Sequence, residues 1–164
     1  GSGCISIALA LKTKGRVVGT DVSENALLLA QRNSQALGAN VTFLHHDVLE
    51  ESFPWEDLDV VVSNPPYIPE SDRKQMDTNV LDYEPALALF VSDDDPLLFY
   101  QRIANEGMKS LNAGGSLYFE IHESFGQQVA DLLQQIGFAD VSVHQDMQGK
   151  DRIVSCRKPE NLRT

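Results

Sequence analysis

A strand that stops on two prolines has few ways to continue, and Leu58 to Val62 followed by Ser63-Asn64-Pro65-Pro66-Tyr67 is such a stretch. A β-branched run closed in this way reads as a buried strand with an abrupt end. Each proline lacks an N–H and fixes its own φ, and Pro65 and Pro66 also hold the residue before them out of the helical region. The backbone carbonyls here are therefore held in place with no ladder to join. An Asn side chain and a fixed carbonyl at a strand end can accept both hydrogens of one planar NH2 group, while the neighbouring Tyr67 ring covers its face. That makes a site for a flat amino or amide nitrogen. A proline-rich turn with an Asn cap is the competing reading, and these residues alone leave both standing.

The length of 164 residues fits one domain, which by size would bury about two-thirds of its unfolded surface. No run approaches the ~20 apolar residues of a membrane span and no signal peptide is visible, so a cytoplasmic protein without a membrane partner is expected. Cys4 and Cys156 lie near opposite ends with no metal-ligand spacing, and both are expected as buried thiols and not as a disulfide. Thirteen basic residues face 24 acidic ones, a net charge of -11. Affinity for nucleic acid comes mostly from Lys and Arg against phosphate, so direct nucleic-acid binding is not expected of this domain alone. Acid is concentrated between Pro69 and Pro96, where Glu70, Asp72, Asp77, Asp82, Glu84, Asp93, Asp94 and Asp95 face only Arg73 and Lys74. A solvated loop and a docking surface for a basic protein partner are the two readings of it.

Gly1-Ser2-Gly3 stands directly before the helical run Cys4 to Leu11. Glycines that open a helix let a ligand approach its N–H groups, because no Cβ intervenes. A cloning scar is the other reading of Gly-Ser at this position. On the ligand reading, a strand and its acidic residue precede this loop in the complete protein. Arg16 to Asp21 is a short strand ending on an acid 18 residues beyond Gly3. Nucleotide folds present a carboxylate to ribose hydroxyls at about this separation, ~20 residues. Ser23 reads as an N-cap with Glu24 in the first turn, opening a helix to Leu37 with Ala26, Leu29, Ala30, Asn33 and Leu37 on one face and Gly38 as a left-handed cap. Val41 to Leu44 is the next strand, and Asp47 after it stands where a carboxylate can accept the exocyclic amine of adenine, with loop capping as the competing role. His45 and His46 point to opposite faces and lack a third ligand at suitable spacing, so no metal site is expected.

Phe53-Pro54-Trp55 reads as a turn with buried aromatics. Pro96 is expected at the first position of a helix through Leu111 that Asn112-Ala113-Gly114-Gly115 closes. A strand Ser116 to Ile121, a helix Ser124 to Ile136 and two strands, Val141 to Val143 and Arg152 to Cys156, complete the chain. Those last two strands, separated by Gly149-Lys150, can pair as a hairpin. Alternating strands and helices predict an α/β, Rossmann-like fold: a mostly parallel sheet with helices on both faces and a C-terminal antiparallel hairpin. Ligands in such sheets sit beyond the carboxyl ends of the strands, where Gly3, Asp21, Asp47 and Asn64 all fall.

Together these residues resemble the class I S-adenosylmethionine-dependent methyltransferases, in the amino-methylating branch that carries Asn/Asp-Pro-Pro-Tyr. Four blocks narrow the resemblance: Gly1 to Ile5, Ser63 to Pro69, Tyr83-Glu84-Pro85-Ala86-Leu87-Ala88-Leu89, and Gly149-Lys150-Asp151-Arg152. In that order they look like the peptide-chain release factor glutamine methyltransferases of the HemK/PrmC type. The resemblance implies methylation of the amide nitrogen of the Gln in the Gly-Gly-Gln loop of class 1 release factors. It implies Gly1 and Gly3 along the methionine part of S-adenosylmethionine, Asp21 on its ribose and Asp47 at its adenine. Asn64 and the Pro65 carbonyl would accept the substrate amide hydrogens, beside Pro66 and Tyr67. This sequence departs from the family in lacking the strand and acid before the glycine loop and the N-terminal helical domain, so it reads as a catalytic-domain fragment.

Two rivals share parts of this pattern. A methyltransferase acting on adenine N6, cytosine N4 or guanine N2 would use the same motif with Tyr67 stacked on a flipped base. A cofactor-binding module without catalytic activity would keep the glycine loop and Asp21. The acid-rich stretch after Tyr67 and the lack of a basic recognition segment favour protein glutamine methylation over the first.

Overall fold

The computed structural model describes residues 1–66, 68–69, 90–91 and 95–160, with only the backbone at 68–69 and 90–91. Tyr67, most of the acidic stretch, and the Tyr83 to Leu89 block with Glu84 lie outside the described residues. The chain divides into two compact units, Gly1–Glu51 and Ser52–Thr164.

In the first unit, α1 (Cys4–Lys12) and β1 (Val17–Asp21) are followed by α2 (Glu24–Leu37) and β2 (Val41–His45). Strands β1 and β2 pair in parallel, Val17 with Val41 through Asp21 with His45. Ser23 caps α2 as expected, its hydroxyl accepting from the Ala26 N–H, and Gly38 closes the helix at φ 66°. The buried stripe of α2 is Leu27, Ala30 and Ser34: Ala30 is buried as expected, Leu27 and Ser34 take the places expected of Ala26 and Asn33, and Leu29 and Leu37 are exposed. Those positions fit the i, i+3, i+7 spacing of a helix face, and the Ser34 hydroxyl makes its burial tolerable by donating to the Ala39 carbonyl at 2.7 Å.

In the second unit, β3 (Leu58–Ser63), β6 (Leu111–Glu120), β8 (Asp151–Arg157) and β7 (Ala139–Gln145) form one sheet in the order β3-β6-β8-β7. Strands β3 and β6 are parallel, and β8 is antiparallel to both β6 and β7, so the expected hairpin is present. A short parallel pair, β4 (Ile68–Pro69) with β5 (Phe90–Val91), is separate from it. Helices α3 (Leu98–Ser110) and α4 (Gly126–Ile136) pack on each other, α3 on β6 and α4 on β7 and β8. The core beneath them contains Tyr100, Leu117, Phe119, Val129, Leu133 and Val154. Tyr100 and Phe119 meet edge to face at 5.1 Å between centroids.

Three local expectations are corrected. Pro96 lies in a turn before α3, whose N-cap is Leu97, because the Leu98 N–H bonds back to the Asp95 carbonyl and delays the helix. Residues Asn112 to Gly115 belong to β6: the register jumps from Leu58 with Leu111 to Val60 with Ser116, so they form an irregularity opposite Asp59 instead of a loop. Cys4 is exposed, because it begins α1 with its side chain outward, whereas Cys156 is buried between the sheet and its helices, and both are free thiols. Burial pushes the Cys156 thiol up to about 12. Phe53 and Trp55 are half-buried and meet edge to face at 6.2 Å.

Candidate active site

Four of the site residues expected from sequence converge at the carboxyl end of the β1–β2 pair. Gly3 is the N-cap of α1 in the left-handed conformation, φ 79°. A Cβ there would stand 2.9 Å from the Ala30 Cβ and 3.1 Å from the Phe43 ring, so glycine is needed both for φ and for the close approach. The N–H groups of Cys4, Ile5 and Ser6 then head the helix without intrahelical acceptors, an arrangement that favours an anionic or polar ligand. The amide of Asn33 on α2 ties the loop down by donating to the Ser2 carbonyl at 3.0 Å. Sequence reasoning placed Asn33 on the buried helix face and missed this strap, whose only signal was a polar residue within that face.

Asp21 ends β1 with its side chain 23% exposed. Its Oδ1 accepts the Ser23 N–H at 2.8 Å, and the Gly1 nitrogen donates to Oδ2. Asp21 thus caps the turn into α2, and since an ionised carboxylate has about four lone-pair sites, these contacts leave it further acceptor capacity. Asp47 is two residues beyond the β2 partner of Asp21, and the His46 N–H donates to the Asp21 carbonyl at 3.2 Å. Its Oδ1 accepts the Leu49 N–H at 3.0 Å, and its carbonyl accepts from Glu50 and Glu51. The loop-capping role weighed against the adenine role is thus present, and capacity remains on the second oxygen. A diol and an exocyclic amine are the groups such partly used, partly exposed carboxylates can take.

The remaining residues lie in the second unit. Asn64 follows β3 and is exposed, Pro65 is buried behind it, and Pro66 is half-buried. Because Ser63 is in register with Phe119, the carboxyl end of β6 lies beside Asn64, about 5 Å away at the spacing of paired strands. Glu120 ends β6 here and Ile121 follows it, and the Tyr100 hydroxyl donates to the Glu120 carbonyl at 3.2 Å. Tyr67 falls outside the described residues.

A buried carboxylate stands at the opposite, amino end of the same sheet. Glu106 on α3 is 2% exposed, accepts from Lys109 at 2.8 Å and from the Phe53 N–H at 3.1 Å, and has Arg102 at 3.4 Å. The Lys109 ammonium, with help from the Phe53 N–H, holds its carboxyl below the ordinary 4.5 against the opposing effect of burial. This cluster fastens the segment before β3 and lies away from Asn64. Sequence reasoning missed it: Lys109 and Arg102 stand at helix spacing from Glu106, but nothing local marks Glu106 as buried or Phe53 as its third partner.

A family model described as "Methyltransferase domain" matches residues 1–82. The chain is 44% identical over 160 residues to a release factor glutamine methyltransferase of Bacteroides thetaiotaomicron, covering 96% of this chain and 58% of that protein. It is 39% identical over 155 residues to a protein of the same name from Flavobacterium psychrophilum, covering 94% of this chain and 54% of that protein. The chain thus spans a little over half the length of these curated relatives. Among solved structures, an S-adenosylmethionine-dependent O-methyltransferase of Thermotoga maritima matches with a TM-score of 0.68 and 17% identity, over 100% of this chain and 58% of that one. A methyltransferase of Pyrococcus furiosus matches with a TM-score of 0.67 and 18% identity, over 94% and 68%. At this level of identity, the structural matches bear on the fold alone, which is the α/β methyltransferase fold expected from sequence.

Proposed function

The chain belongs to the methyltransferase-domain family, and from that premise we propose that it carries the catalytic residues for methylating the side-chain amide nitrogen of the Gln in the Gly-Gly-Gln motif of class 1 peptide chain release factors. The observation that carries this reading is the exposed Asn64 at the carboxyl end of β3 with the rigid Pro65 buried behind it. The names of the relatives supply the acceptor. S-adenosylmethionine, when bound, supplies an electrophilic methyl group on a sulfonium and leaves as S-adenosylhomocysteine.

Gly1 and Gly3 border the methionine portion of that cofactor, Asp21 accepts from its ribose hydroxyls and Asp47 from its adenine amine. Asn64 Oδ1 and the Pro65 carbonyl accept the two hydrogens of the acceptor NH2 group, and Pro66 and Tyr67 flank it. An amide nitrogen is a weak nucleophile because its lone pair is delocalised into the carbonyl. Two fixed acceptors align that lone pair and stabilise the positive charge that grows on nitrogen during transfer. The methylated nitrogen becomes strongly acidic and loses its proton afterwards, so no general base precedes attack. This agrees with a motif that contains neither His nor Lys.

The test is transfer of labelled methyl by the full-length protein to a purified release factor, beside a release factor whose motif Gln is replaced by Ala and beside total RNA. Label in the first acceptor alone is expected. Label in RNA would move the chain to the base-methylating branch, and cofactor binding with no label anywhere would leave a binding module.

A further inference from the structure

The Gly149-Lys150-Asp151-Arg152 block takes no part in the chemistry above, yet it makes a dense set of contacts. It closes the β7–β8 hairpin, where the Asp146 N–H bonds to the Lys150 carbonyl at 2.9 Å and Asp146 Oδ1 accepts the Lys150 N–H at 3.1 Å. From there Lys150 and Arg152 reach the turn that follows β6, and Asp151 reaches the first residue of α4. Lys150 Nζ is 2.8 Å from Glu123 Oε2, and Arg152 Nη2 is 3.5 Å from the same oxygen. Arg152 Nε donates to Asp146 Oδ2 at 3.0 Å, and its carbonyl accepts the Ile121 N–H at 2.9 Å. Asp151 lies so close to Gly126 that a Cβ there would overlap its carboxylate.

The turn is fixed internally as well. The Ser124 N–H donates to His122 Nδ1 at 3.2 Å, and the His122 and Phe125 rings are 5.7 Å apart. It leaves β6 at the sheet end where the neighbouring strand β3 delivers Asn64, as the pairing of Ser63 with Phe119 requires. Exposed ion pairs contribute little to stability one at a time. Their convergence on one four-residue turn therefore matters for where that turn stands more than for how firmly the unit is folded.

We propose that Lys150 and Arg152 are positioning residues, which through Glu123 hold the turn His122 to Phe125 as the wall of the acceptor site beside Asn64. The proposal rests on the acceptor reading given above. Loss of the clamp moves the wall and weakens capture of the protein acceptor, while the cofactor residues of the first unit are untouched.

The experiment compares the full-length protein with Lys150→Glu and with the charge exchange Lys150→Glu/Glu123→Lys. The single variant is expected to raise KM for the release factor about tenfold, the scale of coupling between contacting charged residues, with the affinity for S-adenosylmethionine unchanged. The exchange is expected to recover most of that loss. An unchanged KM in the single variant overturns the proposal, as does failure of the exchange to recover it. Hydrogen exchange at the amides of residues 121–125 gives a reading that does not depend on any acceptor: faster exchange in Lys150→Glu with α4 unaffected is expected, and an unchanged rate overturns the clamp. If the wild-type protein methylates no release factor while this exchange difference is present, the acceptor reading fails and the clamp stands.

Discussion

At the scale of single residues, Asp21 and Asp47 each spend lone pairs on local backbone N–H groups, which fixes the carboxylate's orientation, and the cofactor roles proposed above fall to the lone pairs that remain. Glu106 is the contrasting case, a buried carboxylate held by Lys109 and Arg102 and by the Phe53 N–H. Replacing it by Gln is expected to destabilise the protein by about 2 kcal/mol, since buried hydrogen bonds to a charged group are lost and the Phe53 N–H keeps a weaker acceptor. Urea titration of the variant against the parent measures this. Glu106, Glu123 and Asp146 share a direction of shift: Lys109, Lys150 and the Lys150 backbone N–H, respectively, are the leading causes that lower them from ordinary values of 4.5, 4.5 and 3.8. A carboxyl lowered in the folded state binds fewer protons than in the unfolded chain, so its contribution is complete above the ordinary value. It is lost as pH falls through the lowered folded value. Thermal stability is therefore expected to be flat near neutrality and to fall below about pH 4.5, less steeply in Glu106→Gln; an equal fall in both proteins would contradict the role given to Glu106.

At the scale of elements, the glycine loop is the tightest constraint. Gly3→Ala must place a side chain at φ 79° and against Ala30. A left-handed non-glycine residue costs roughly 1–2 kcal/mol before any clash, so a loss of about 2 kcal/mol is expected, together with weaker binding of S-adenosylmethionine measured by calorimetry. Unchanged binding would remove the loop from the cofactor site. The loop and α2 show which parts of the fold were legible from sequence. The N-cap Ser23, the terminating Gly38 and the strand ending at Asp21 are written locally, by residues whose backbone preferences act within a turn. The buried face of α2 is not written locally: Leu29 and Leu37 look like core residues, yet burial falls on Leu27, Ala30 and Ser34, and what faces inward depends on which neighbour the helix meets. The positions of Asn64, Asp21 and Asp47 at or just after strand ends were legible because strand ends are marked by composition. The clamp from Lys150 and Arg152 to Glu123 was not, because its partners are separated by nearly thirty residues of sequence and meet through sheet pairing.

At the scale of the whole molecule, the chain's net charge of -11 disfavours a polyanion, which agrees with the protein acceptor proposed above. Raising salt from about 0.05 to 0.5 M shortens the screening length roughly threefold, so KM for the release factor is expected to rise while that for S-adenosylmethionine changes little; equal sensitivity of the two would argue against electrostatic docking. The two units carry separate duties in this account, with Gly1, Gly3, Asp21 and Asp47 given to the cofactor and Asn64 and Pro65 to the acceptor amide. The most direct test locates the transferred methyl group atom by atom. Release factor incubated with S-adenosylmethionine and the full-length protein, or its Asn64→Ala variant, is digested and the Gly-Gly-Gln peptide is sequenced by mass spectrometry. The account predicts one methyl on the Gln side-chain nitrogen with the parent, and a rate about 100- to 1,000-fold lower with Asn64→Ala, cofactor binding being retained. Methyl on any other residue, or an undiminished rate in the variant, would contradict it.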